Sequence, residues 1–470
     1  MTSFKHNNHT LKRTTLALVL GASISGAFAQ STTGALFGQA PAADGTTVTV
    51  QNASGLQRTV SVDANGRYNL GTLPVGKYTV KLERNGRVIE QRQDVLLRVG
   101  TGTEVSFRDD GATTLDAVRV TAANVPRIDV STSVAKSVIT SEQLDVLPLG
   151  RTAEAIALLA PGVIAGSSAF GNGSRSVLSF GGSSVSENAY YLNGFNVSNP
   201  YNALGGASLP YGSIDQQETY TGGYSSRYGR STGGVLNQLG KRGTNAWRFG
   251  AQVTWAPAGL AESPASVKYP DMGLPEGYAY ENEAKPGTLY RYRRGDKETT
   301  TTYSGYVSGP LIEDRLFIHL AAESNRREGV STASEAAAQQ ARNHYRVDTP
   351  KFYGKLDWNI APGHRATVSY QRTRGSSISA NGNTLTGSST SLGLLSQWVE
   401  RQNNLDVYKA QVFSDWTDNF STEISASYKK MDNPGFPLAG NDFAQFRVYL
   451  NGTTTGPSVY AGTNASYQAN

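Results

Sequence analysis

The sequence predicts a mainly β protein: an N-terminal β-sandwich, a glycine-rich α+β unit, and the first, incomplete part of an antiparallel transmembrane β-barrel. Three observations point there. Short alternating runs separated by tight turns fill residues 30–108. Residues 209–245 are polar strands broken at Gly222–Gly223 and Gly233–Gly234, and glycine is the residue for positive φ and close backbone approach. That stretch leads directly into residues 247–255, which alternate strictly, as a strand between lipid and an interior does.

Composition bounds the class. A chain of 470 residues has room for two to four domains of roughly 150 residues each. Its 38% hydrophobic content and mean hydropathy of −0.38 argue against an α-helical membrane protein, whose spans need about 20 apolar residues. A β-barrel stays open, because only alternate residues of its strands must be apolar. The 51 glycines and 24 tyrosines suit many turns and aromatic girdles at two interfaces. Residues 1–29 read as a secretory signal peptide. Lys5, Lys12 and Arg13 precede a short apolar core at 16–22, and Ala27-Phe28-Ala29 is a small-residue cleavage site. That core is too short to span a bilayer, so cleavage is expected over retention as an anchor. Half of the formal +6 charge lies in this leader, and no basic run follows it, so no nucleic-acid partner is expected. Without cysteine there are no disulfides, thiolate nucleophiles or cysteine metal sites.

Along residues 30–108, Val48, Val50, Val60 and Val62 sit in alternating runs. The turns are Asp63-Ala64-Asn65-Gly66, Leu73-Pro74-Val75-Gly76 and Asn85-Gly86, the last of the type that matches strand twist. No catalytic set is visible there. Residues 109–124 are a linker that contains Thr114-Leu115-Asp116-Ala117-Val118-Arg119-Val120-Thr121-Ala122, a short extended segment in which alternate residues are β-branched. In residues 125–245, Thr140 and Gln143 form a capping box, Pro148 ends that helix, and Thr152 caps the next. Ile156 and Leu159 are expected on one helix face, with Pro161-Gly162 ending it. Residues 176–180 read as a strand, and residues 189–197 as a hairpin turning at Asn193-Gly194.

Residues 246–470 read as barrel. Trp247, Phe249, Ala251, Val253 and Trp255 share one face, and Arg248, Gln252 and Thr254 the other. Comparable two-faced runs are 316–320, 352–358, 366–370 and 420–428. Short turns at 361–364 and 417–419 are expected on the periplasmic side. The segments 256–299, 329–349 and 375–403 are expected to be long outer loops. A soluble sandwich would not explain aromatic-bounded apolar faces opposite polar ones over several hairpins. About eight strands follow residue 245, whereas a barrel wide enough to hold an internal domain closes with ~22. A fragment of a longer protein is therefore expected, as is the absence of a terminal aromatic at Gln468-Ala469-Asn470.

Several of these residues carry a family resemblance. The pattern Asp63…Gly66-Arg67-Tyr68…Leu73-Pro74-Val75-Gly76-Lys77-Tyr78 resembles the carboxypeptidase regulatory-like sandwich of the Oar-type branch of TonB-dependent outer-membrane receptors. The helix closing on Pro161-Gly162-Val163, the Asn193-Gly194 turn and Gly243-Thr244-Asn245 resemble the plug domain of that family. The family usually has Asp-Gly at the turn, and a strand ending in Thr-Lys where this chain has residues 236–242. Both departures keep the local character. The resemblance covers nearly all of the chain after the leader. It implies a sandwich at 30–108, a linker at 109–124, a plug at 125–245 and a partial barrel at 246–470. It also implies an outer-membrane location and import of an extracellular ligand, powered by the proton gradient through TonB and its inner-membrane motor complex. Asp116, Val118, Val120 and Thr121 then belong to a TonB box, which adds as a strand to TonB. Outer-membrane lipid is the second expected partner. The extracellular ligand (siderophore, peptide, protein or glycan), and with it the substrate-binding residues, stay unassigned.

Other chemistry finds little support. Gly229-Arg230-Ser231-Thr232-Gly233 matches a nucleophile-elbow string, but that motif needs a helix after it and a His and an acid beside it, and residues 235–236 continue as strand. Outside the leader the histidines are His319, His344 and His364, all in barrel segments. No phosphate loop, dinucleotide fingerprint or metal-ligand spacing appears. The chain is thus expected to be neither an enzyme nor a cofactor binder. The alternative function is an outer-membrane adhesin or structural surface protein without active transport.

Overall fold

A computed structural model describes residues 32–107, 134–166, 177–200, 204–226, 228–229, 231–268, 287, 289–291, 293–332, 342–384, 392–417, 420–437, 446–449 and 458–461. Residues 1–29 and 109–124, expected to be a leader and a linker, lie outside these residues. The N-terminal unit is a sandwich of two sheets. Strands β1 (Thr33–Gln39), β4 (Arg67–Pro74) and β7 (Gly102–Glu104) form one, in the order β4-β1-β7. Strands β2 (Thr46–Asn52), β3 (Gln57–Ser61), β5 (Gly76–Arg84) and β6 (Arg87–Leu97) form the other, in the order β3-β2-β5-β6. The alternating residues meet in an apolar core that includes Leu36, Val48, Val50, Leu70, Val80 and Leu82. The hairpin turn between β5 and β6 has φ 50° at Asn85 and 77° at Gly86, the left-handed pair that matches strand twist.

The second unit is built on a five-stranded sheet. Its strands are β8 (Ala135–Thr140), β11 (Ala189–Leu192), β12 (Phe195–Asn196), β13 (Ile214–Gly222) and β14 (Val235–Gly240), in the order β12-β11-β14-β13-β8. A two-stranded sheet of β9 (Val163–Ala165) and β10 (Leu178–Phe180) accompanies it. Helix α1 (Ser141–Val146) starts where the capping box puts it, with Gln143 Oε1 accepting from Thr140 N at 3.0 Å. Helix α2 (Ala153–Ala157) is capped by Thr152 Oγ1, which accepts from Ala155 N at 3.1 Å. The expected Ile156–Leu159 face does not form: Ile156 is 1% exposed and Leu159 42%. The helix ends at Ala157, and the chain then turns toward Gly162 (φ 77°), so helical spacing no longer relates the two residues.

The third unit is a meander of long antiparallel strands: β15 (Arg248–Ala256), β18 (Lys297–Ile312), β19 (Leu316–Thr332), β20 (Arg342–Ala361), β21 (His364–Thr384), β22 (Leu392–Thr417) and β23 (Phe420–Asp432), each paired with the next. Between β15 and β18 lies a small hairpin of β16 (Val267–Lys268) and β17 (Leu289–Arg291). A short β24 (Gly435–Pro437) pairs with β22, and β25 (Phe446–Tyr449) pairs with β26 (Ser458–Ala461). The sheet is open, with β15 and β23 at its ends among the described residues. Its two faces differ as the alternation predicts. On the outer face Phe249 is 82% exposed and Ile424 68%, whereas the inward Phe317 is fully buried. Phe352, Tyr370, Tyr408 and Tyr428 form a continuous row across that face, with neighbouring ring centroids 6.1, 4.7 and 6.3 Å apart. Trp247, Trp358, Trp416 and Phe420 are exposed toward the short-turn end. Two aromatic rows bounding an apolar band are what a bilayer with two interfaces selects. No helix among the described residues is long and apolar enough to cross a membrane.

The strands run further than the alternation suggested. Segments 329–349 and 375–403, expected as loops, carry β19 to Thr332, β20 from Arg342, β21 to Thr384 and β22 from Leu392. Beyond the lipid neither face has to be apolar, so the two-faced pattern stops while main-chain pairing continues. For the same reason the Thr-rich start of β18 has no apolar signal. In β22 the signal is blurred because Leu405 and Val407 face inward against the second unit.

Candidate functional site: the seam between plug and wall

The second unit sits against the inner face of the curved sheet, and the contact is largely polar. Near mid-height, Glu323 of β19 is 3% exposed. Its carboxylate accepts from Arg151 Nη2 (3.3 Å), Tyr211 N (3.0 Å) and Lys351 Nζ (3.3 Å). Arg151 also donates to Gln252 Oε1 (2.6 Å) and Ser304 Oγ (3.2 Å), and its guanidinium lies 4.7 Å from the Tyr211 ring centroid. Lys351 reaches Ser208 Oγ at 2.9 Å. One wall carboxylate thus compensates one cation from each side. Such a buried cluster tolerates replacement as a whole by apolar groups but not the loss of a single member.

Nearer the short-turn end the Asn193-Gly194 turn meets the wall. Asn193 Nδ2 donates to the Tyr353 hydroxyl at 3.1 Å, its Oδ1 accepts from Gly240 N at 2.9 Å, and its carbonyl accepts from Lys409 Nζ. Lys355 Nζ donates to Gly240 O at 3.2 Å. A Cβ on Gly240 would collide with the Tyr353 hydroxyl, so glycine here sets how closely the strand and wall approach. His319 Nε2 lies 3.0 Å from Ser213 Oγ, and Arg242 and Lys355 both flank Asp357, at 3.6 and 3.7 Å. Apolar contact comes from Tyr353, Leu405 and Val407, which join the core of the second unit, and from Met431, which packs against it.

Between the three units lies a cavity of about 40 Å³, large enough for water. Pro74 and Val75 come from the sandwich, Asp215 and Arg242 from the second unit, and Lys355, Asp357 and Arg365 from the wall. Burial pushes the Asp215 carboxyl up to about 6, against the pull of Lys355 and Lys241. On β13, burial pushes Glu218 up to about 7, although it accepts from Asn237 Nδ2 (2.8 Å) and Tyr220 Oη (2.7 Å) and lies 4.0 Å from Lys136.

The residues assigned to TonB docking, Asp116, Val118, Val120 and Thr121, lie outside the described residues. Ser231 is held structurally. Its hydroxyl donates to Glu187 O (3.0 Å) and Gly234 O (3.1 Å), and β14 follows it rather than a helix. Of the seam residues, Asn193 was marked by its turn motif, whereas Arg151, Glu323 and Lys351 had no motif; the one signal for Glu323 and Lys351 was a charge on a two-faced strand.

Comparisons with known proteins agree with this architecture. Residues 127–235 match the TonB-dependent Receptor Plug Domain, and residues 38–108 match the Carboxypeptidase regulatory-like domain. The chain is 25% identical over 407 residues to the TonB-dependent transporter Oar of Myxococcus xanthus, covering 78% of this chain and 36% of that protein. It therefore spans about a third of the length of that relative. Among solved structures, the outer-membrane transporter YddB from Escherichia coli aligns with a TM-score of 0.49 at 13% identity, covering 71% of this chain and 43% of that one. The siderophore receptor PirA from Acinetobacter baumannii aligns with a TM-score of 0.44 at 20% identity, covering 64% and 40%. Residues 38–108 and 127–235 thus carry the two domain types that the sequence resemblance pointed to, ahead of an open antiparallel sheet, and the chain is similar to the TonB-dependent transporter Oar.

Proposed function

We propose that the protein imports an extracellular ligand across the outer membrane, with energy from the proton gradient relayed by TonB. The observation that carries this reading is the polarity of the seam. Ion pairs, hydrogen bonds and a water-sized cavity line most of the contact between plug and wall. Water can replace such bonds as they break, so their net contribution is small relative to their number. A plug meant to stay would be better fixed by an apolar contact of the same area. Boundaries at 30–108, 109–124, 125–245 and 246–470 follow from this reading, with the leader at 1–29 removed on export. Ligand reaches the outer ends of the strands, and TonB reaches the linker from the periplasm. No enzymatic step is part of this account, and the structural use of the Ser231 hydroxyl supports leaving one out.

The linker assignment is testable. Proline at a strand position removes a main-chain donor. Val118→Pro should abolish capture of the protein by the periplasmic domain of TonB and should leave surface display unchanged. Equal capture of wild type and variant would refute the docking segment.

A further inference from the structure

We propose that the N-terminal sandwich is a gate: docked, it holds the seam between plug and wall shut from the periplasmic side, and it must leave before the plug can move. This rests on the transport reading above. Three observations support it.

The sandwich is bonded to both bodies that flank the seam. On the plug side, Gln216 acts as a strand partner through its side chain. Its Oε1 accepts from Val99 N and its Nε2 donates to Leu97 O, both at 3.0 Å. Lys136 donates to Gly100 O (2.9 Å) and Val99 O (3.3 Å), and Val75 and Val99 pack on Leu239 and Val138. On the wall side, Asp415 accepts from Thr72 Oγ1 at 2.8 Å and pairs with Arg58 at 3.2 Å, while Arg365 Nη2 donates to Thr72 O at 2.9 Å. Asn359 Nδ2 donates to Ser54 O at 3.1 Å. A plug that slides along the wall cannot keep both sets.

The second observation is position. The Pro74–Val75 turn forms the sandwich's share of the cavity at the seam, so the sandwich covers the place where plug and wall would part.

The third is strain. Thr72 has φ 54°, an outlier for a β-branched residue, and such conformations persist only where surroundings over-determine them. Two of the groups that hold it are wall contacts, Asp415 on its hydroxyl and Arg365 on its carbonyl; Gly71 O and Arg58 of the sandwich meet the same hydroxyl. Undocking removes the wall's share of what holds Thr72 in that conformation.

The chain has no cysteine, so single cysteines can report each step in cells without knowledge of the ligand. Val75→Cys, buried between sandwich and plug (9% exposed), reports undocking. Ser213→Cys, fully buried between plug and wall, reports plug movement. The probe is a small hydrophilic maleimide that enters the periplasm through porins. The protein is expressed from its own gene, in cells with and without TonB. Labelling of Val75→Cys should be on the order of tenfold faster with TonB than without it, because a buried thiol reacts only in the opened state. It should be at least as fast as labelling of Ser213→Cys. If Ser213→Cys labels in a TonB-dependent way and Val75→Cys does not, the plug moves with the sandwich docked; the gate is then refuted while transport stands. Fast labelling of Val75→Cys without TonB also refutes the gate. Absence of TonB-dependent labelling at both positions overturns the gate together with the transport reading.

Discussion

The sandwich core and the plug–wall seam are both buried, and they are built oppositely. The sandwich closes on Leu36, Val48, Val50, Leu70, Val80 and Leu82, apolar side chains with no partner to choose. The seam closes on Glu323 between Arg151 and Lys351, and on Asn193 against Tyr353 and Lys409. An apolar core gains from area and resists separation. A polar contact gains geometry and exchanges its bonds with water at little net cost. Under the transport proposal, the difference marks the sandwich core as the permanent surface and the seam as the one that parts.

The largest expected effect comes from unbalancing the seam. Glu323→Ala leaves two cations facing each other without a carboxylate and should destabilise the seated plug by about 3–5 kcal/mol. Replacing the whole cluster (Arg151→Met, Glu323→Leu, Lys351→Met) should restore stability or exceed it, because apolar groups of similar volume replace a buried ion cluster at no loss. Thermal unfolding of the purified protein in detergent separates the two variants. Equal destabilisation by both would mean that the cluster's hydrogen bonds, rather than charge balance, hold the plug.

A smaller effect concerns pH. Glu218 has a folded value near 7 against 4.5 for the free group, so between those values the folded state binds more protons than the unfolded one. Stability then falls as pH rises from about 4.5 to 7, and is flat above. Asp215, raised to about 6 for the same reason, adds a slope of the same sign lower in the window. Native-state hydrogen exchange at β13, corrected for intrinsic rates, should show this loss. Glu218→Gln should remove the upper part of it. A slope of the opposite sign, or one unaltered by the substitution, would show that Glu218 is charged in the folded protein.

Much of the outer wall was legible in the sequence because lipid imposes a period of two. Trp247, Phe249, Val253 and Trp255 had to share a face, and they do. Turn chemistry was legible for a similar reason: Asn85-Gly86 and Asn193-Gly194 demand left-handed φ and obtain it. What failed was local spacing past a helix end, at Leu159, and strand length outside the bilayer, where alternation carries no information. The seam was only half legible. An inward charge such as Glu323 or Lys355 is visible only as one residue on the polar face of a two-faced strand. Its partner lies more than a hundred residues away in Arg151 or Gly240, and no local rule selects it. The sandwich's contacts with Asp415 and Gln216 were not legible at all, since each is an ordinary polar residue until three units are assembled.

The central claim is that the plug leaves the wall when TonB acts on the linker. Periplasmic maleimide labelling of Ser213→Cys tests it most directly, in cells with TonB, in cells lacking it, and in cells with TonB whose protein also carries Val118→Pro. The account predicts labelling in the first case and protection in the other two. Labelling at one rate in all three, or in none, would contradict it.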